Sequence, residues 1–153
     1  MSKDSSQTQT GAPRVERRSR SQQLIKKLVT TRTEMLSCYT RLASKKPLNR
    51  DPAVPILLQE FCQVMVDYTA RAHFQLYRYI AEKRERRAAV IAVADEIYPR
   101  VVEITQAILD FNDKYDCGDH CSELDALEDD LSLLGELLAD RIELEDRLIE
   151  ALS

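Results

Sequence analysis

The chain has 153 residues, of which 44% are hydrophobic and 31% are charged, so it is long enough for one domain with a sizeable core. It contains 3 Gly and 5 Pro against 19 Leu, which argues against β-sandwiches, β-barrels and collagen-like or Gly/Ser-rich disordered chains. No uncharged apolar run approaches the length of a bilayer-spanning segment, and the polar stretch 1–10 lacks the apolar region of a secretory signal. We therefore expect a cytoplasmic helical protein whose four cysteines form no disulfide framework.

The net charge of −4 conceals a gradient along the chain. Residues 1–50 carry 12 Lys/Arg and 3 Asp/Glu, a balance of +9, whereas residues 101–153 carry 3 Lys/Arg and 16 Asp/Glu, a balance of −13. Two interpretations stay open. The oppositely charged parts attract each other within one bundle, or the acidic part captures a basic partner.

The N-terminal segment is rich in Ser, Gln, Thr and Arg and has little to bury. We interpret residues 1–20 as a disordered basic tail and 21–153 as the helical domain. The first helix is predicted to begin near Ser19 or Ser21, either of which suits an N-cap, and to end before Pro47. Its predicted inward face consists of Leu24, Leu28, Met35, Tyr39 and Leu42.

The second helix is predicted over about 54–83, and Pro55 fits its first turn. A break is predicted near the charged run 82–87, because an unbroken helix through it would be unusually long. The predicted inward stripe of this helix consists of Leu57, Leu58, Phe61, Met65, Tyr68, Ala72, Leu76 and Ile80.

The third helix is predicted over about 88–115, with a kink or restart at Pro99. The fourth is predicted to follow Ser122 as its N-cap and to run to the C-terminus. The predicted stripe of the third helix is Ile91, Ala94, Ile97, Val101, Ile104, Ile108 and Phe111, and that of the fourth is Leu124, Leu127, Leu131, Leu134, Leu138, Ile142, Ile149 and Leu152. Glu145 falls on the fourth stripe, where a carboxylate is unexpected. Four such helices predict an all-α, antiparallel four-helix bundle.

The sequence offers little for catalysis or metal binding. A di-iron bundle needs Glu-x-x-His motifs, and neither His73 nor His120 has a glutamate three residues before it. Phosphate-binding loops and nucleophile elbows are also missing from the sequence. Cys117, His120 and Cys121 are weak metal candidates, since a second pair of ligands is not apparent. We therefore expect a protein that is not an enzyme, with no cofactor and no metal.

Several separated blocks carry a more specific signal. They are FCQVMVDY at 61–68, AHF at 72–74, IYPR at 97–100, FND at 111–113 and RIELED at 141–146. In this order and spacing the chain resembles the Rsd/AlgQ family of bacterial anti-sigma factors (regulators of sigma D), and it looks closer to the AlgQ branch. The resemblance covers about residues 22–152.

The resemblance implies a helical bundle that binds the primary (housekeeping) sigma subunit of RNA polymerase. It implies binding mainly to the C-terminal region of sigma, which recognises the −35 promoter element, and sequestration of sigma from core polymerase and promoter. We expect a monomer that forms a 1:1 complex and binds neither nucleic acid nor membrane. Where the family usually has Ser-Ala-Gly, this chain has Ala70-Arg71-Ala72.

The candidate sigma-binding residues are Asp67, Tyr68, Arg71, Phe74, Leu24 and Leu28. Asp67 interrupts an apolar stretch and could accept a bidentate bond from an arginine of sigma, or pair internally with Arg32 or Arg71. Tyr68 and Phe74 are candidate aromatic anchors, whereas core packing explains Leu24 and Leu28 at least as well.

Two further hypotheses concern other residues. A buried pair between His73 and Glu145 would satisfy the carboxylate, with a solvent-facing His73 as the alternative. Two other functions stay open: a DNA-binding regulator that uses the basic tail, and a metal- or redox-sensing bundle that uses the Cys117–Cys121 loop.

Overall fold

The computed structural model of the chain describes residues 2–81, 87–116 and 124–152. All regular elements in these ranges are helical, as the sequence predicts. They are α1 (Ser2–Ala43), α2 (Val54–Arg71), a π-helical turn (Ala72–Tyr77), α3 (Arg78–Ala81), α4 (Ala88–Tyr115) and α5 (Leu127–Leu152). Arg87 is extended, with φ −69° and ψ 123°, so the predicted break before α4 is confirmed. None of the helices in these ranges is long and apolar enough to cross a membrane.

Contacts between α1 and α5 show that these helices run in opposite directions. The Tyr39 hydroxyl donates to the Leu131 carbonyl at 2.9 Å, and the Arg32 guanidinium contacts Asp146 at 2.8 Å. Residue numbers therefore fall along α1 as they rise along α5. Gly135 allows the close approach at Tyr39, because a Cβ at this position would collide with the Tyr39 hydroxyl.

The other neighbouring helices are antiparallel as well. The ring centroids of Phe61 and Phe111 are 6.2 Å apart, and those of Tyr77 and Tyr98 are 6.3 Å apart. The segment formed by α2 and the π-helical turn therefore runs antiparallel to α4. Helices α4 and α5 also run in opposite directions, because ion pairs join Lys114 to Asp130 at 2.6 Å and Glu96 to Arg147 at 2.8 Å. The predicted four-helix bundle is confirmed.

The core is one cluster that draws on every helix. The positions predicted to face inward are buried or packed against this cluster, with one exception. Ile91 is 39% exposed, and Val90 beside it is fully buried and takes the inward position. Hydrophobic periodicity therefore located the core, with an error of one residue at the start of α4.

Helix boundaries differ from the prediction in two places. Helix α1 begins at Ser2 rather than near Ser19 or Ser21, so it runs through the segment 2–20 that was expected to be a disordered tail. Adding residues to an existing helix costs far less than nucleating one, so a packed helix can extend through a segment with little to bury. The division into tail and domain stays a prediction.

The other difference concerns the start of α5, whereas α4 has the predicted span. Of the two alternatives at Pro99, a kink or a restart, the restart does not occur, because α4 continues through the proline. Because Asp95 and Pro99 are both exposed, water can satisfy the carbonyl that the proline leaves without a donor. Helix α5 begins at Leu127 instead of directly after Ser122, and the Leu127 N–H closes a turn onto the Leu124 carbonyl at 3.1 Å. Ser122 itself lies outside the described residues.

Candidate partner-binding surface

Three of the predicted site residues lie together on one exposed face. Asp67, Arg71 and Phe74 follow one another at spacings of four and three, which places them on the same side of α2 and the π-helical turn. We call these three residues the α2 face. Asp67 and Arg71 are exposed, and the Phe74 side chain is 58% exposed. An aromatic side chain with this exposure is a candidate contact for another molecule.

Asp67 makes no hydrogen bond or ion pair with any residue in the described part of the chain. Arg32, one of its two predicted internal partners, instead contacts Glu145 and Asp146. Arg71, the other, shows no bond to Asp67 in the described structure. The Asp67 carboxylate therefore has its full hydrogen-bonding capacity available to a partner.

Phe74 stands at the edge of a groove. Its ring lies edge-on to the His73 ring at a centroid distance of 5.1 Å, and the Arg78 guanidinium lies 6.0 Å from the ring centre. The groove measures about 630 Å³ and continues onto α4, where Tyr98 and Pro99 form its far side. The surface thus combines an aromatic edge, a groove and both signs of charge.

The other three predicted residues lie inside the bundle. Tyr68 is fully buried, so it is not a surface anchor, and its hydroxyl donates to the Glu145 carboxylate. Leu28 is 2% exposed and belongs to the core, which is the alternative already considered for it. Leu24 is partly buried and packs against the same core.

Tyr68 belongs to a buried polar network that links four helices. One Glu145 oxygen lies 3.4 Å from the Arg32 guanidinium of α1 and also accepts from Tyr68 of α2. The other oxygen accepts from Nε of Arg141 at 3.2 Å, and Arg141 donates further to Thr105 Oγ1 of α4 at 2.8 Å. We call Arg32, Tyr68, Thr105, Arg141 and Glu145 the buried polar network. It meets the rule that a buried charge needs a partner.

The predicted pair of His73 and Glu145 is wrong. His73 is exposed, as the alternative had it, and Glu145 is satisfied by Tyr68 and the two arginines. The sequence did contain a signal for the true partner. Arg141 precedes Glu145 by four residues, which places both on one side of α5, where an inward glutamate needs a cation.

Electrostatics inside the network keep Tyr68 a neutral donor. Burial raises the pKa of Tyr68 well above its ordinary value, and the Glu145 carboxylate raises it further. Burial acts to lower the pKa of Arg141, but Glu145 and the tyrosines outweigh it, so the pKa is raised. The arginine therefore stays charged and the tyrosine stays protonated.

The described part of the chain shows no grouping of three His, Cys, Asp or Glu side chains that could hold a metal ion. The weak metal candidates, Cys117, His120 and Cys121, lie outside the described residues.

Comparison with known proteins identifies the class. The family model described as "Regulator of RNA polymerase sigma(70) subunit, Rsd/AlgQ" matches residues 9–153. The chain is similar to a protein named "Regulator of sigma D" from Yersinia enterocolitica, at 32% identity over 137 residues, which cover 85% of this chain and 80% of that protein. A protein of the same name from Yersinia pseudotuberculosis is 33% identical over 138 residues, covering 85% and 79%. One from Salmonella paratyphi A is 32% identical over 137 residues, covering 84% and 81%. No solved structure matches the chain.

The helical bundle and the family match define a regulator of transcription, an anti-sigma factor that acts on a sigma subunit of RNA polymerase. Within that class, the chain belongs to the Rsd/AlgQ family. The resemblance to this family noted in the sequence is thereby confirmed, while the closer relation to the AlgQ branch stays a prediction.

Proposed function

We propose that the chain sequesters the primary sigma subunit in the cytoplasm as a 1:1 complex, binding its C-terminal region through the α2 face. The observation that carries this proposal is the exposed Phe74 near Asp67, a carboxylate that has no partner among the described residues. Sequestration in this form is stoichiometric, needs no catalytic group, and keeps sigma from core polymerase and promoter.

The proposed chemistry of contact uses two kinds of group. Phe74 would be buried against an apolar surface of sigma, because binding energy concentrates in aromatic anchors surrounded by weaker contacts. Asp67 would accept two parallel bonds from a sigma arginine, the strongest common geometry for such a pair. Arg71 lies between them and adds a positive charge, so we expect it to select an acidic or polar group on sigma opposite it.

Charge supports the choice of a basic partner region. Several carboxylates of α5 are compensated internally, among them Asp130 by Lys114 and Asp140 by Arg100 at 3.2 Å. In the described part of the chain, ion pairs from four cations involve five of the 16 acidic residues of 101–153, so this part of the chain keeps an acidic surface. A sigma region that reads DNA is basic, and an acidic field increases its rate of encounter.

The buried polar network holds the helix that carries the α2 face in place. Tyr68 is the residue after Asp67, and its bond to Glu145 ties this part of α2 to α5. Side chains held on a rigid element lose less freedom when they bind, which favours affinity. We therefore expect the α2 face to keep its shape in the complex.

The test is calorimetric titration of the chain with the isolated C-terminal region of sigma. Phe74→Ala should weaken binding by more than about tenfold, since an aromatic anchor of this kind is worth about 2 kcal/mol or more. Ile56→Ala is the matched control, because Ile56 is 71% exposed and begins the same helical segment far from the α2 face. It should leave the affinity unchanged.

The same titration gives the stoichiometry, and a ratio other than one to one would contradict the proposal. Recovery of RNA polymerase subunits on the tagged chain tests the partner directly. Sigma without core polymerase supports the proposal, whereas core polymerase without sigma would overturn it. Equal losses in Phe74→Ala and Ile56→Ala would remove the α2 face from the site.

A further inference from the structure

A small cavity lies between the π-helical turn, α4 and α5. It measures about 160 Å³, and its walls include His73, Tyr77, Tyr98 and Arg141. The first three of these also line the groove beside Phe74, so the cavity opens toward that groove. We call it the inner cavity. By the volume that water occupies in the liquid, it has room for about five water molecules.

The π-helical turn places Tyr77 at this cavity. The Arg78 N–H donates to the His73 carbonyl five residues back, a wider turn than that of an α-helix. Both Leu76 and Tyr77 are consequently buried, while His73 and Phe74 stay exposed. Turns of this kind often occur at functional sites.

The hydroxyl of Tyr77 is unpaired within the described residues. The side chain is 5% exposed, and its oxygen makes no hydrogen bond in the described part of the structure. Burying a hydroxyl without a hydrogen bond is costly, and such groups usually have a partner when the protein is in its working state. An acceptor in the inner cavity would satisfy it.

The wall of the same cavity includes a cation. Arg141 lines it together with Tyr77. A guanidinium group beside an unpaired hydroxyl offers two donors of the kind that bind a carboxylate.

We propose that the inner cavity binds a small monocarboxylate of about four to six heavy atoms. Its carboxylate accepts from the Tyr77 hydroxyl and from the Arg141 guanidinium. Its apolar end lies against Tyr98 and Val101, which also line the cavity. This size matches the cavity volume, and the apolar wall disfavours inorganic phosphate, which is polar on every side.

The test uses the full chain without any sigma subunit, so its result is separate from that of the proposed function. Propionate is the probe and propionamide the uncharged control, both followed by calorimetry and by NMR of the labelled protein. Tyr77→Phe removes only the unpaired oxygen and should weaken propionate binding by about tenfold or more, the usual loss for a hydrogen bond to a charged group. Tyr39→Phe is the matched control, since Tyr39 bonds the Leu131 carbonyl elsewhere in the bundle.

The proposal predicts saturable binding of propionate, none of propionamide, and a loss only in Tyr77→Phe. It is overturned if propionate, acetate and pyruvate all fail to bind saturably. It is also overturned if propionamide binds as propionate does, or if Tyr77→Phe binds propionate as tightly as the unaltered chain. Should Tyr77→Phe fail to fold, NMR of the unaltered chain decides. Propionate-induced shifts at the Tyr77 ring and Arg141 side chain support the site, and shifts confined to surface lysines overturn it.

Discussion

Asp67 and Tyr68 are neighbours in α2 and belong to opposite parts of the molecule. Asp67 is exposed and makes no bond to another residue that the structure describes, whereas Tyr68 is fully buried and donates to Glu145. The α2 face and the buried polar network are thus two sides of the same helical segment. The comparison shows that polarity alone does not mark a binding residue, because burial decides whether a polar group can reach a partner.

The two regions also obey different energetics. Charges in the buried polar network have lost their hydration, so removing one partner leaves another uncompensated in the interior. Charges on the α2 face keep their hydration, and removing one costs the free protein little. Mutations in the first region should therefore alter folding, and mutations in the second should alter binding.

The largest expected effect is that of Glu145→Ala on stability. This change leaves the Arg32 and Arg141 guanidinium groups without their shared carboxylate, and it removes the acceptor of the Tyr68 hydroxyl. We expect the free energy of unfolding to fall by about 3–5 kcal/mol. Chemical denaturation followed by circular dichroism measures it.

Asp146→Ala is the matched control for that experiment. Asp146 also binds Arg32, at 2.8 Å, but its side chain is 58% exposed. An exposed ion pair is worth at most about 1 kcal/mol, so the loss should be small. Equal losses in Asp146→Ala and Glu145→Ala would contradict the distinction between the buried and exposed regions.

The next effect is that of Asp67→Ala on binding. If its partner is a sigma arginine, the truncation leaves that arginine desolvated and unpaired, which costs about 2–5 kcal/mol of binding free energy. Stability should change by less than about 0.5 kcal/mol, because Asp67 faces water in the free bundle. Calorimetric affinity for the sigma C-terminal region, beside the thermal melt of the same variant, measures both.

Two outcomes would alter the comparison. Unchanged affinity in Asp67→Ala would remove this carboxylate from the site. A large melt shift with retained affinity would assign Asp67 to the structural side of α2. Asp113→Ala, at an exposed position near the end of α4, controls for the loss of a negative charge as such.

Tyr68→Phe should have a smaller effect on the free energy of unfolding, and this effect should decrease as the pH rises. Loss of the bond to Glu145 should cost about 1–3 kcal/mol near neutral pH. Burial, followed by Glu145, raises the pKa of Tyr68 in the folded state. Its contribution to stability is therefore complete below about pH 10, the ordinary pKa of tyrosine, and is lost as the pH rises above that value.

Denaturation at several pH values between about 9 and 11.5 measures this dependence. The unaltered chain should lose up to about 1.4 kcal/mol of stability per pH unit through this one group above pH 10, and Tyr68→Phe should lose correspondingly less. Identical slopes for the two proteins would show that Tyr68 is not held neutral by its surroundings.

Much of this comparison could be predicted from the sequence. Hydrophobic periodicity placed Tyr68 on the inward stripe of α2, seven residues after Phe61. The same stripe leaves Asp67 outside, and the structure agrees on both. Tyr68 was also a candidate surface anchor on the strength of its aromatic ring, and its position on the stripe already argued against that role.

Other features lay beyond sequence reasoning for physical reasons. The π-helical turn at 72–77 changes which side chains point inward, and no glycine or proline marks it. The burial of Arg141 depends on its contact with Thr105, which forms only when α4 and α5 pack. The early start of α1 at Ser2 depends on helix extension, to which hydrophobic periodicity is insensitive.

The smallest expected effect is that of deleting residues 1–18. This segment has few side chains to bury, whereas α1 contributes Leu24 and Leu28 to the core and Arg32 to the buried polar network. We expect the melting temperature to stay nearly unchanged, because the helix that remains keeps these contacts. Thermal denaturation of the shortened chain beside the full chain measures this, and a drop of many degrees would show that the segment packs on the bundle.

The same pair of proteins, passed over promoter DNA across a salt series without sigma, also tests the DNA-binding alternative. Retention that depends on residues 1–18 and falls steeply with salt would favour phosphate contacts by the basic segment, while equal and weak retention would leave the α2 face as the site of action.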